Sequence, residues 1–438
     1  MIRHLIIFGA TGDLTARYLL PALAELHAAG KLPAGFKGVG VAGRAGDTDS
    51  FRRHLSEQVA RHAATVAPGS REAIVSLLTY HQADVTDGES LRRALGPVTE
   101  PAAIYLALPP AVFSPAIQSL AGLDLPPGSR IAIEKPFGLN LASAQVLNRL
   151  LHATFPERAI FRLDHFLGLQ TVQNILALRF ANRVFEPVWS CQHVERVEII
   201  WDETLTVGDR AASYDATGAL RDMIQNHLLQ VLCLIGLEVP ATLGADDLRD
   251  RKVDLLRAVR RLSPAEVDRW TVRARYSAGR IGSRAVPAYV QEPGVRPDRA
   301  TETFAQVTLF IDNERWSGVP FVLRTGKALA RDRREISVSF RPVPHSLFPS
   351  NVVPGPNVLR LEFEPDRIAY GINTNGSGEA LTLDSVDLDH TLAQPVLPAY
   401  GHLLLDVLTG DPTLSIRDDE IEESWRIIDQ ISEAWAAG

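Results

Sequence analysis

The stretch LDHFLGLQT, residues 163 to 171, sets a carboxylate and an imidazole side by side, Asp164 and His165, and continues with Phe166, Leu167, Gly168, Leu169 and Gln170. It has the outline of a binding element whose charged half is missing. A second imidazole, His227, ends the run IQNH. Histidine, with an unperturbed pKa near ~6.5, serves as a base at neutral pH, and a carboxylate beside it fixes its tautomer and stabilises the imidazolium. Taken alone, a histidine in a helical stretch is more often a packing residue. Lys135 in EKPFG and Lys327 in RTGK stand out because lysine occurs only at 31, 37, 135, 252 and 327, leaving 40 of the 45 basic residues as arginine. Where arginine is the default, a retained lysine points to a need for a compact ammonium.

A phosphate-binding turn is the next candidate. Gly9, Ala10, Thr11, Gly12, Asp13 and Leu14 follow the apolar run HLIIF and precede a helical pattern, so the glycines permit a tight turn that brings a pyrophosphate to a helix N-terminus. The pattern is GxxGDL and not the fuller GxGxxG, and any strand-to-helix turn can carry two glycines. The second Gly-rich strand ends at Gly43-Arg44, without the acid that would accept from an adenosine ribose 2′-hydroxyl. Arg44 there can pair with a 2′-phosphate, which favours NADP and leaves NAD open.

These residues need elements to hold them. A chain of 438 residues exceeds one ordinary core, and 46% hydrophobic with 22% charged residues is a globular balance. Short apolar strands alternate with helical patterns such as SFRRHLSEQVARHA up to about residue 165, which predicts a doubly wound parallel sheet, an α/β Rossmann domain over 1–165. Beyond it, VERVEIIWDETL, TFAQVTLFID, VPFVLRTGK, REISVSFRPV and NVLRLEFEP alternate, predicting a β+α domain with a large, mainly antiparallel sheet over 166–438. A net charge of -7 argues against nucleic-acid binding. Cys191 and Cys233 show no CxxC spacing, and no metal is expected. LIIF is too short for a signal peptide and no stretch is apolar enough to span a membrane, so a cytoplasmic protein is expected.

With FGATGDL, EKPFG, RLDHFLG, VQNILALRFAN, YDATGALRDMIQNHLLQ and VPFVLRTGKAL in this order, the chain resembles the glucose-6-phosphate dehydrogenase family. The resemblance implies a Rossmann domain that binds NADP, a β+α domain that carries the sugar, and a homodimer or dimer of dimers. It implies hydride transfer from C1 of a β-hexopyranose to nicotinamide, giving a 1,5-lactone. His227 matches the family's base and Asp164 its orienting carboxylate. Lys135 matches a lysine shared by sugar and cofactor, with Glu134 supporting the strand end. Glu203, Asp222 and Lys327 match the groups that hold the sugar.

The family's usual Asp-His-Tyr-Leu-Gly-Lys-Glu becomes Asp164-His165-Phe166-Leu167-Gly168-Leu169-Gln170. His165 remains, while the phenol and the ammonium that join it on a sugar 6-phosphate are lost. Tyr18 and Asp332 stand where basic groups are usual, with Arg331 and Arg333 flanking the latter. Losing two or three charge-assisted bonds of roughly 1.5–3 kcal/mol each would weaken phosphate binding ~10³-fold. The expectation is therefore an NADP-dependent 1-dehydrogenase for a sugar lacking the 6-phosphate, with Phe166 and Leu169 lining a pocket for a neutral C6 group. The alternatives are a glucose-6-phosphate dehydrogenase with a compensated phosphate site, a non-catalytic NADP-binding sensor, and an oxidoreductase acting at another sugar carbon.

Overall fold

The computed structural model describes residues 1–348, 353–378 and 381–437. Its contacts divide the chain into two units, one of Met1–Leu169, Ala241–Asp250 and Pro395–Glu422, the other of Gln170–Pro240, Arg251–Gln394 and Glu423–Gly438.

Apolar runs such as LIIF and AAIYL have no polar alternation, so they suit strands buried on both faces. In the first unit they form β1 (His4–Phe8), β2 (Lys37–Ala42), β3 (Leu78–Gln82), β4 (Ala102–Leu106), β5 (Arg130–Glu134) and β6 (Ile160–Leu163). The sheet order is β3-β2-β1-β4-β5-β6 and every pair is parallel. This is the doubly wound dinucleotide-binding arrangement. Helices Thr48–His62, Pro110–Ala121 and Leu141–His152 supply the crossovers.

The division is not the single cut at residue 165 drawn from the sequence. The helix Ala399–Thr409 buries Leu403, Leu404, Val407 and Leu408 in the same cluster as Leu5, Ile7, Leu19 and Leu23. Ile2 donates its N–H to the Leu408 carbonyl at 2.7 Å. The first unit's core is thus completed by a segment that local sequence patterns assign elsewhere.

The second unit is built on an eight-stranded sheet. It contains β7 (Val194–Asp202), β8 (Thr271–Ala274), β11 (Phe304–Leu309), β12 (Phe321–Gly326), β13 (Arg333–Phe340), β14 (Val358–Glu362), β15 (Arg367–Asn375) and β16 (Leu383–Thr391). The intervening β9 (Gly279–Ile281) and β10 (Arg284–Val286) form a separate ribbon. The order is β16-β15-β14-β13-β7-β12-β11-β8, antiparallel throughout except for the parallel pair β7 and β12. Among the described residues, no helix is long and apolar enough to cross a membrane.

One glycine shows how tightly the first unit's late segment is seated. A Cβ on Gly168 would lie 2.8 Å from the Ala399 carbonyl oxygen, where backbone on both sides leaves nothing to yield. Gly168→Ala is expected to lower stability by roughly 1–3 kcal/mol, the usual cost of overpacking, as read from urea unfolding. An unchanged midpoint would show that the turn can move away from Ala399.

Candidate active site

Strand β1 ends at Phe8, and the chain turns at Gly9 with φ +80°. A side chain there would place Cβ 2.1 Å from the Ala107 carbonyl oxygen, so only glycine fits. The N–H groups of Gly9 and Ala10 both reach the Val41 carbonyl, at 2.9 and 3.3 Å, and Gly12 donates to Gly9 at 2.9 Å. Gly9, Ala10 and Gly12 therefore shape the turn. The donors left for a phosphate are at the helix start, Asp13 and Leu14, where the first N–H groups have no partner within the helix.

Thr11 and Arg44 line a pocket of about 130 Å³ together with Ser50, His54 and Tyr80. The pocket's floor is pinned. Asp47 caps the helix Thr48–His62 by accepting from the Ser50 N–H at 2.8 Å, which also holds its carboxyl below the usual range, and the Tyr80 hydroxyl donates to the Arg44 carbonyl at 2.5 Å. Among the described residues, no carboxylate pairs with the Arg44 guanidinium. A helix N-terminus, a tight glycine turn and an unpaired arginine past the second strand fit a dinucleotide carrying a 2′-phosphate.

Strands β5 and β6 end on the same edge. Glu134, the last residue of β5, is buried and accepts a hydrogen bond from the Tyr105 hydroxyl on β4. Burial pushes its carboxyl up to about 7; the Asp164 charge adds to this, while Tyr105 and Lys135 oppose it. Lys135 follows, joined by a cis peptide to Pro136. Asp164 follows β6 directly, is 1% exposed, and accepts from the Phe166 N–H at 2.9 Å, capping the turn His165–Gly168. Phe166 is 2% exposed, so its ring is packing, edge-on to His165 at 5.1 Å, and does not open onto the apolar C6 pocket expected of it. Leu169 is partly exposed.

The first unit adds residues that sequence patterns do not reveal. His165 stacks on Tyr400, with centroids 5.9 Å apart and planes at 12°, and Tyr400 stacks in turn on Tyr18 at 4.9 Å. Tyr18, which replaces a lysine in the resemblance, thus has a ring partner. Tyr400 arrives with the helix Ala399–Thr409, and burial raises its phenol well above the ordinary value.

In the second unit, β7 and β12 run side by side to a common end, with Trp201 opposite Thr325 and Asp202 opposite Gly326. The Glu203 N–H donates to Gly326 and its carbonyl accepts from Leu329, both at 2.9 Å. Its carboxylate pairs with Lys327 and lies 3.6 Å from Arg334, whose guanidinium covers the Trp201 ring at 5.2 Å. Of the two arginines that flank Asp332, Arg333 is engaged within its own strand. Arg333 is turned to Glu335 at 2.6 Å, and the group that approaches Glu203 is Arg334. Asp332 itself accepts from the Thr204 N–H at 2.6 Å, holding the chain just past Glu203.

Asp222 and His227 share the segment Leu220–Leu228, a widened π-type helix that packs on β12. Such widening is rare and concentrates at functional sites. Glu302 fixes the segment's start by accepting from the Leu220 N–H at 2.9 Å. His227 is 1% exposed and donates its backbone N–H to Asn226 Oδ1 at 2.6 Å.

The buried Glu134 carboxyl has a consequence for stability. Its folded pKa of about 7 exceeds the ordinary 4.5, so the folded protein keeps a proton that the unfolded chain has lost. The contribution is present below pH 4.5 and disappears as pH rises through 7. Glu134→Gln is expected to flatten this fall, on the order of 3 kcal/mol, in denaturant titrations across the window. The same pH slope in both proteins would mean that Glu134 ionises normally.

Residues 6–174 match the family model described as the glucose-6-phosphate dehydrogenase NAD binding domain, and residues 176–438 match its C-terminal domain. The glucose-6-phosphate 1-dehydrogenase of Treponema pallidum (strain Nichols) is 42% identical over 456 residues, covering 98% of this chain and 88% of that protein. The enzyme of the same name from Zymomonas mobilis subsp. mobilis is 39% identical over 454 residues, covering 100% and 93%. A solved glucose-6-phosphate dehydrogenase in complex with glucose-6-phosphate superposes with a TM-score of 0.89 at 30% identity, over 98% of this chain and 91% of that one. Both units are included in these matches, and the chain belongs to the glucose-6-phosphate dehydrogenase family, oxidoreductases that act on a sugar CH–OH group with a nicotinamide cofactor.

Proposed function

We propose that the protein is an NADP-dependent glucose-6-phosphate 1-dehydrogenase that converts the C1 hydroxyl of the β-pyranose to the 1,5-lactone. The observation that carries this reading is whole-length similarity at 39–42% identity to relatives of that name, with the residues for C1 chemistry all present. It replaces the expectation of a sugar without the 6-phosphate. That expectation treated residues 166, 169 and 332 as open to substrate, whereas Phe166 is buried packing and Asp332 is engaged by Thr204. His165 remains to meet a phosphate, its ring held by Tyr400.

In this reading His227 takes the C1 hydroxyl proton on an imidazole nitrogen, and Asp164 is the carboxylate that stabilises the resulting imidazolium. Glu203 and Asp222 accept hydrogen bonds from ring hydroxyls. Lys327, paired with Glu203, holds that carboxylate in place. Lys135 brings a compact positive charge to the end of β5. A bound nicotinamide supplies the two-electron acceptor for the C1 hydride. Arg44 favours the 2′-phosphate form of the dinucleotide.

Initial rates at 340 nm should favour glucose 6-phosphate over glucose by ~10²-fold or more in kcat/KM, the value of one or two charge-assisted bonds, and NADP over NAD. Phe166→Tyr with Leu169→Lys should add little, because the native site already holds phosphate. A preference for glucose, reversed by the double substitution, would restore the unphosphorylated sugar as substrate. His227→Ala should lower kcat by ~10²–10⁴-fold with the fold intact by circular dichroism; full activity would remove it from the role of base.

A further inference from the structure

The second unit contains a cleft of about 670 Å³ lined by none of the residues assigned above to substrate or cofactor. Arg221, Arg273 and Arg299 enter it, with the hydroxyls of Thr217 and Ser432 and the indole of Trp435. Its acids are committed elsewhere. Asp215 accepts from the Tyr289 hydroxyl at 2.8 Å, the Arg296 N–H at 3.1 Å and Arg299 at 3.3 Å. Asp298 pairs with Arg296 at 3.1 Å, and Glu302 caps the helix through the Leu220 N–H. Among the described residues, neither Arg221 nor Arg273 forms a salt bridge, although the charges of both act on the Glu302 carboxyl, which burial holds above its usual range. Arg273 instead lies 5.6 Å from the Trp435 ring, which is fixed by its own N–H on Thr271 Oγ1 at 2.9 Å.

Two guanidiniums held in no salt bridge, beside hydroxyls and a fixed aromatic wall, form a site for oxyanions, since the arginine fork matches phosphate oxygens in pairs. The volume suits a small organic ligand. We propose that this cleft binds a polyphosphate group, separate from the substrate and cofactor sites, through Arg221 and Arg273. Its place is informative, because Arg221 precedes Asp222 on the same widened helix that carries His227. A ligand held there bears directly on the segment that presents the base. The inference stands on this cleft alone and not on the identity of the sugar.

The test is calorimetric titration of the full-length protein, saturated with NADP so that the dinucleotide site is filled, using pyrophosphate and ADP as separate probes. Binding of either probe to native protein, weakened tenfold or more in Arg273→Ala while NADP affinity is unchanged, is the expected result. Tighter binding of ADP would identify a nucleotide stacking on Trp435, and equal affinities a free polyphosphate; both support the site. Arg221→Gln provides a second variant with the same expected weakening. No binding of either probe to the NADP-saturated protein, or equal binding to native and both variants, would overturn the proposal.

Discussion

A parallel sheet sends all its strands out through one edge, and the first unit depends on that constraint. Strands β1, β2, β5 and β6 deliver the turn at Gly9, the arginine at 44, Lys135 and Asp164 to the same side. No local signal specifies this convergence. It follows from strand direction, which right-handed crossovers impose on apolar runs too short to do anything else. The Glu134 carboxyl marks the cost of the arrangement, since a carboxyl buried at a strand end loses its solvent and is held above its usual range, with the Asp164 charge adding to the effect.

The second unit reaches a related solution with different material. Its sheet is antiparallel except where β7 meets β12, and that pair carries Glu203 and Lys327 just past its common end. Antiparallel neighbours would set the end of one strand beside the start of the next. Here the start of β13 does lie opposite, with Arg333 facing Asp202, and it contributes Arg334 and Asp332. Three strands of two directions therefore converge on one carboxylate. Lys327 and Arg334 neutralise it, and backbone bonds fix its main chain.

Much of this was legible in the sequence, and the exceptions have physical causes. The α/β alternation, strands β7, β11, β12, β13 and β14 of the second sheet and the glycine turn are carried by local periodicity. Strand β16 is not, because nearly all its residues are exposed and its polar run resembles a loop. Tyr400 is invisible for another reason: it meets His165 from 235 positions away (400 − 165), through helix packing that no spacing encodes. The turn at Asp332 was misjudged because an ungapped comparison aligns positions and not side chains, and the cation stood two residues further on. Residue type alone does not report that Phe166 is buried, as His227 and Asp164 also are.

The segment Pro395–Glu422 has a consequence for the order in which the protein is made. Strand β1 is synthesised long before the helix Ala399–Thr409, yet Ile2 pairs with Leu408, and the face that carries Leu5 and Ile7 is closed by Leu403, Leu404 and Val407. All of the chain between β1 and Leu403 must be synthesised before that face has its partner. During this interval the nascent sheet carries apolar surface that only a late helix can cover, which is the condition under which chaperones engage a growing chain. The parallel sheet is begun early along the chain and its face is closed late.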